Sequence, residues 1–194
     1  MKRGRPDIET TVSFLMKRLS KSETDDWMKL RRLIGFIQRT IDEIRVIGAT
    51  SLTEIMSFVD SAYPVHENMR SHTGGLVSFG IGAAHARTTT SKINVKSATE
   101  SELVATVEYL PYTLWFRHFI MEAQGYSLKD NVIYQDNKSA ILMKINGRNS
   151  CTGNSRHINI RYFWIKDRVD NKELRIEYLP THIMLANYYT KPLQ

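Results

Sequence analysis

The spacing of apolar positions divides the chain near residue 44. Before it, Ile8, Val12, Leu15 and Leu19 recur at helical spacing over residues 7–20, with Asp7 placed as an N-cap. Trp27, Leu30, Leu33, Ile34 and Ile37 share one face of a second helix over about 25–39. The two make a hairpin that cannot hold a core alone. It must lean on the rest of the chain or on a missing neighbour.

Beyond residue 44 the runs shorten. Residues 45–48 read as a strand, and Ile55-Met56-Ser57-Phe58-Val59-Asp60 as a second, apolar enough to be central in a sheet. A glycine-rich third follows over 76–84, with a weaker fourth over 85–93 paired back on it. A long helix over about 99–123 carries Leu103, Val107, Leu110, Leu114 and Phe119 along one face. Asn131-Val132-Ile133-Tyr134-Gln135-Asp136 is another buried strand. After it come a helix over 138–144, a Gly/Asn/Ser loop over 146–155, a helix over 157–169 and a cleanly alternating strand over 174–179. A short tail helix runs from Met184 to Pro192. The order predicts an α/β fold with antiparallel strands first and crossover strands later.

Composition adds bounds. The 194 residues suffice for one domain with a real core. A net charge of +7 favours a polyanionic partner. The single cysteine, Cys151, excludes an internal disulfide or a cysteine-rich zinc site. The start, Met1-Lys2-Arg3-Gly4-Arg5-Pro6, is basic without the apolar stretch of a signal peptide. No apolar run approaches the roughly 20 residues that span a bilayer, so no membrane partner is expected. The expected location is intracellular and soluble.

Asp60 and Asp136 both stand at the exit of an apolar strand, where an ionised carboxylate is costly unless it meets water or a cation. Glu102 opens the long helix. Thr99-x-x-Glu102 and Ser97-x-x-Glu100 both fit a capping box, so a purely structural Glu102 is an open alternative. If the long helix crosses the sheet, the three carboxylates converge. Such a cluster calls for hard divalent cations, Mg2+ or Mn2+. Two such ions about 4 Å apart generate hydroxide and stabilise the leaving oxygen of a phosphodiester.

Six stretches then occur in a telling order: Phe58-Val59-Asp60-Ser61-Ala62, Arg70-Ser71-His72-Thr73-Gly74-Gly75, Lys96-Ser97-Ala98-Thr99-Glu100-Ser101-Glu102-Leu103, Tyr134-Gln135-Asp136-Asn137-Lys138-Ser139-Ala140, Arg156-His157-Ile158-Asn159-Ile160-Arg161-Tyr162-Phe163 and Tyr189-Thr190-Lys191-Pro192-Leu193. Together they resemble the ribonuclease H domain at the end of copia-type retrotransposon polyproteins. Arg5-Pro6-Asp7-Ile8 and the helix around Trp27 resemble the segment that joins the reverse transcriptase to that domain. The resemblance implies a ribonuclease H-like mixed five-stranded sheet with flanking helices over 44–194. It also implies a helical remnant of the reverse transcriptase connection over 1–43. It implies cleavage of the RNA strand of RNA–DNA hybrids with two Mg2+ ions, Mn2+ being possible. The reverse transcriptase of the parent polyprotein is an implied partner, and the compartment is the cytoplasm, in a virus-like particle, or the nucleus. Asp60, Glu102 and Asp136 match three catalytic carboxylates, Glu102 being chosen over Glu100 because the family's ligand precedes the leucine at 103.

The fourth acidic position is Asn187, where the family usually has Asp; an amide can ligate but brings no charge. Asn159 also stands in place of an Asp. Ser71, Thr73, Ser97, Thr99, Gln135 and Asn137 are candidate contacts to the 2′-hydroxyls and phosphates of a hybrid, and equally plausible turn or cap residues. His157 is a candidate proton shuttle or product-release residue, with a structural role as the alternative. His182 can approach the same cleft, while Arg156, Arg161, Lys166 and Arg168 form either a basic face or a solvated helix surface. Two other readings stay open: a silent nucleic-acid-binding module, and a remnant whose hairpin exposes apolar surface for want of its polymerase.

Overall fold

The computed structural model describes residues 4–66, 68–146 and 156–191, the side chains of 120, 121 and 156–162 excepted. Helices α1 (Glu9–Lys17) and α2 (Thr24–Arg39) open the chain. Strands β1 (Gly48–Ala49), β2 (Glu54–Ala62), β3 (His72–Ser78), β4 (Gly80–Ile81) and β5 (His85–Thr90) follow. Helix α3 (Ala98–Trp115) runs into a π-helical stretch, Phe116–Met121. Then come β6 (Asp130–Gln135), α4 (Lys138–Asn146), α5 (Arg156–Asp170), β7 (Arg175–Tyr178) and a 3-10 turn, Leu185–Tyr189.

The main sheet has five strands in the order β5-β3-β2-β6-β7. The β2–β3 and β3–β5 pairs are antiparallel, whereas β2–β6 and β6–β7 are parallel. The two parallel joins are crossovers through helices, as chain geometry requires. Central β2 is covered on both faces. Ile55 and Val59 pack with Leu103, Leu110, Ile133 and Ile165 beneath α3 and α5. Phe58 packs with Leu76, Met184, Ala186 and Tyr189 beneath the tail. This is why its sequence reads as a largely apolar run, broken by Ser57, whose buried hydroxyl pairs with that of Thr113.

Four expectations need correction. Residues 45–48 do not join the main sheet: Gly48 and Ala49 pair with Ile81 and Gly80 in a separate two-stranded ribbon. The expected strand over 76–84 starts earlier and breaks at its end. Gly80 and Gly82 take positive φ values of 116° and 66°, and the chain turns there. The tail is a 3-10 turn rather than an α-helix. The long helix also ends its α-helical part at Trp115, and Pro111 inside it lacks the N–H that would bond the preceding turn.

Gly74 shows why β3 is rich in glycine. A Cβ there would lie 2.6 Å from the Tyr189 carbonyl carbon, so the tail lies directly on the strand. We expect Gly74→Ala to lower stability by about 2 kcal/mol and to displace the tail. Thermal unfolding measures this; an unchanged Tm would show that the tail moves away freely.

The hairpin leans on the body through its first turn, Pro6–Ile8, and through α1. Ile8, Glu9 and Thr10 are buried, and Thr10 Oγ1 donates to the Tyr188 carbonyl at 3.0 Å. Further along α1, Phe14 packs against His66 and His72 with centroids 4.9 and 4.6 Å away. Lys17 Nζ donates to His66 Nε2 at 2.9 Å, and His66 Nε2 lies 3.0 Å from His72 Nδ1. Helix α2 is capped reciprocally by Glu23 and Asp26, yet its apolar face stays largely open, Trp27 being 64% and Ile34 47% exposed. Among the described residues, no helix is long and apolar enough to cross a membrane.

The histidine pair predicts acid sensitivity. Burial pushes His72 down to about 3, helped by the positive charge of His66 and Lys17, and pushes His66 down to about 4. Both folded values lie below the ordinary imidazole value, so the unfolded chain takes up these protons first. The associated stability is complete above pH 6.5 and is lost as pH falls towards 4. We expect a loss on the order of 3 kcal/mol from urea unfolding across that window, mostly from His72. His72→Gln should flatten the slope; an identical slope would assign the acid sensitivity to other groups.

Candidate functional site

In the parallel register of β2 and β6, Phe58 lies opposite Tyr134. Two residues further on, Asp60, still paired with Gly74 of β3, comes beside Asp136, which follows the last residue of β6. Two elements then fix Glu102 above them. Ser97 caps α3 by accepting from the Glu100 amide at 3.2 Å, and Glu100 Oε2 accepts from the Lys96 amide at 2.8 Å. The first turn is thus capped by the Ser97–Glu100 pair, which frees Glu102 from the capping role that its sequence setting also allowed. The Ser61 and Ser101 hydroxyls bond to each other and fasten that turn to the end of β2.

Asp60, Glu102 and Asp136 each offer an oxygen, and these atoms lie within 4.8 Å of one another. Asp60 and Glu102 are buried, 4% and 5% exposed, while Asp136 is half-buried at the rim. Thr190 Oγ1 donates to Asp60 Oδ2, and Thr181 Oγ1 donates to Asp136 Oδ2 at 2.8 Å. Glu102 accepts from the Ser61 amide at 3.2 Å and from Gln135 Nε2 at 2.6 Å. Burial raises the Asp60 carboxyl above the usual carboxylate range, with Thr190 opposing and Asp136 adding to the rise. Burial, then the neighbouring charge of Asp60, pushes Glu102 up to about 8, against Lys144 and Gln135. Charge crowding of this kind marks a site that gains from a cation. The donor set fits a hard divalent ion: converging carboxylate oxygens with one open side at Asp136.

The other sequence candidates divide. Gln135 is fully buried beneath Glu102, a placement that positions the acid rather than facing a ligand. Ser71 and Thr73 are also buried, and Thr73 Oγ1 donates to Glu108 Oε2 at 3.1 Å. Ser97 is the helix cap just described. Asn137 caps α4, its Oδ1 accepting from the Ala140 amide at 3.0 Å. Thr99 is half-buried. Asn187 does not bond to the triad: its Nδ2 donates to the Thr181 carbonyl at 2.8 Å and its Oδ1 accepts from Lys191 Nζ at 2.7 Å. His157 falls in α5, but its side chain lies outside the described residues, as do those of Arg156, Asn159 and Arg161, and all of Cys151. Lys166 is paired with Asp170, and Arg168 with Asp167 and Glu173, so the helix-surface reading fits these two better than a free basic face. His182 is exposed on a short turn, Thr181–Ile183.

Sequence reading missed four contributors. Thr181 and Thr190 brace two of the acids from the tail, and no local pattern marks a hydroxyl that meets a carboxylate 45 or 130 positions away. Ser61 was seen only as a neighbour of Asp60. Lys144 had a usable signal, since it stands three and four residues after Ile141 and Ala140, on the buried stripe of α4.

No family model matches the chain. It is similar to the retrovirus-related Pol polyprotein from transposon TNT 1-94 of Nicotiana tabacum, 27% identical over 188 residues, covering 96% of this chain and 14% of the polyprotein. It is also similar to the corresponding polyprotein from transposon RE2 of Arabidopsis thaliana, 24% identical over 190 residues, covering 97% of this chain and 13% of the other. The chain therefore spans about one seventh of the length of the curated relatives it matches. Among solved structures, it is similar to LC11-RNase H1, isolated from compost by a metagenomic approach: 10% identical, 67% of this chain and 86% of that one, TM-score 0.50. For the same protein in complex with RNA/DNA hybrid the figures are 10%, 70%, 92% and 0.51. The fold is ribonuclease H-like.

Proposed function

We propose that this chain, whose homologues are retrovirus-related Pol polyproteins of plant transposons, is a ribonuclease H-type endonuclease domain that hydrolyses the RNA strand of RNA–DNA hybrids. The observation that carries the reading is the meeting of Asp60, Glu102 and Asp136 at the ends of β2 and β6 and the first turn of α3. The complex of the similar fold with RNA/DNA hybrid supports the substrate class, and the net charge of +7 supports a polyanion. Within the parent polyprotein, residues 1–43 would be the end of the reverse transcriptase connection and 44–194 the nuclease body. The open apolar face of α2 suits that division.

In this reading Asp60, Glu102 and Asp136 would hold two Mg2+ ions, or Mn2+, and Asn187 would be a weakened fourth ligand. The ions when bound supply an acidified water and charge stabilisation at the phosphate. The chain's own residues do the rest. Ser61 and Gln135 fix both oxygens of Glu102. Thr190 and Thr181 orient Asp60 and Asp136. Among the proposed hybrid contacts, Asn137, Thr99 and Ser97 remain at or near the surface, whereas Gln135, Ser71 and Thr73 support the site from within. A water oxygen joins phosphorus and the bond to the 3′ oxygen breaks, leaving a 3′-hydroxyl and a 5′-phosphate.

A second reading is a hybrid-binding module with impaired catalysis. Asn187 favours it, because its amide is already engaged by Thr181 and Lys191. Incubating a labelled RNA–DNA hybrid with the protein in Mg2+ or Mn2+ separates the two. RNA-strand cleavage is the expected result; salt-sensitive binding with no cleavage in excess Mn2+ would establish the binding module instead.

A further inference from the structure

One cation lies inside the molecule. Lys144 of α4 is fully buried and is the largest fully buried side chain among the described residues. Lysines almost never occupy such places unless their charge is answered. Its Nζ donates to Thr106 Oγ1 at 2.7 Å. Thr106, itself fully buried, donates onward to the main-chain oxygen of Glu102 at 3.0 Å, one helical turn nearer the triad. Burial lowers the affinity of Lys144 for its proton, and the opposing attraction comes from Glu102 and Asp136. The ammonium thus lies beneath the floor of the carboxylate cluster, held there by the packing of α4 on α3. Where Glu102 is ionised, a charged Lys144 offsets one of the negative charges of the cluster.

We propose that Lys144 is a built-in counter-cation of the carboxylate site, holding Glu102 and Asp136 together in the metal-free molecule and competing electrostatically with incoming divalent ions. The proposal rests on reading the triad as a metal site. Lys144 is therefore a positioning residue, acting through the charge it presents to the acids. It sets a threshold: the ion must overcome a resident positive charge before the site fills. A lysine that merely braced the α3–α4 contact would affect stability and leave metal affinity unchanged.

The test compares Mn2+ binding by isothermal titration calorimetry in the natural protein and in Lys144→Met, Lys144→Gln and Lys144→Arg. The two neutral variants should bind Mn2+ about tenfold or more tightly, with a lower metal-free Tm and a larger Tm rise on Mn2+ addition. Lys144→Arg should keep the weaker affinity. Unchanged or weaker binding in the neutral variants would overturn the proposal. If neither neutral variant folds, the natural protein still decides. Its Lys144 side-chain NMR signals must broaden early in a Mn2+ titration, and signals that stay sharp while Mn2+ binds would overturn the proposal. Binding that is equal in all four proteins but lost in Asp60→Asn overturns the role of Lys144 alone. Absence of Mn2+ binding throughout overturns the metal-site reading and this proposal with it.

Discussion

Asp60→Asn is expected to lower RNA-strand hydrolysis by about a thousandfold or more while the protein stays folded, because losing this carboxylate removes several kcal/mol of stabilisation at the phosphate. Asp60 stands two residues before the end of the central strand, with a carboxylate oxygen within 4.8 Å of those of Asp136 and Glu102. The stability change should run the opposite way. Burial and the charge of Asp136 raise its carboxyl above the usual range, so its ionised form costs the metal-free fold free energy at neutral pH. That cost grows as pH rises through the folded value, and a neutral amide removes it. The amide oxygen can still accept from Thr190. Metal-free Asp60→Asn should therefore be as stable as the natural protein or more so, by about 1 kcal/mol. Rate and Tm measured together give a signature that misfolding cannot imitate. Hydrolysis that persisted in a folded Asp60→Asn would remove this residue from the mechanism.

Asn187→Asp should act in the opposite direction. The present amide donates to the Thr181 carbonyl and accepts from Lys191, and Thr181 in turn donates to Asp136. Asn187 thus stands one residue away from the triad. An Asp loses the donor that holds it to Thr181 and keeps the lysine as a partner. It also adds a negative charge close to Asp136. Without metal, like charges are crowded further and the Tm should fall. With metal, we expect Mg2+ affinity, and hydrolysis at subsaturating Mg2+, to rise about tenfold or more, from the added Coulomb attraction. Equal rates with and without the substitution would mean that the amide suffices. Equal silence would put the defect elsewhere in the site.

How far the site could be read from sequence differs residue by residue. Asp60 and Asp136 announce themselves because each ends a run that only a buried strand explains, and a carboxylate there needs a reason. Glu102 was ambiguous, since two capping boxes overlapped; the bond from Glu100 to Ser97 resolved it. Gln135 misled. As a polar residue beside an acid it read as a ligand contact, but the parallel pairing of β6 turns it inward under Glu102. The strand expected over 76–84 also misled, because an apolar, glycine-rich run does not reveal which glycines take positive φ and turn the chain.

The sequence by itself determined the local pieces: amphipathic helices, the two apolar strands that carry or precede Asp60 and Asp136, the ordered motifs and the surplus of positive charge. These follow from side-chain periodicity and residue chemistry, which act over a few positions. The tertiary structure decided which pieces meet. It laid the tail on Gly74 so that Thr190 reaches Asp60, it leaned α1 on the sheet through His66 and His72, and it enclosed Lys144 beneath the acids. Each of these joins groups far apart in the chain, and its energy comes from burial and charge that exist only once the core has closed.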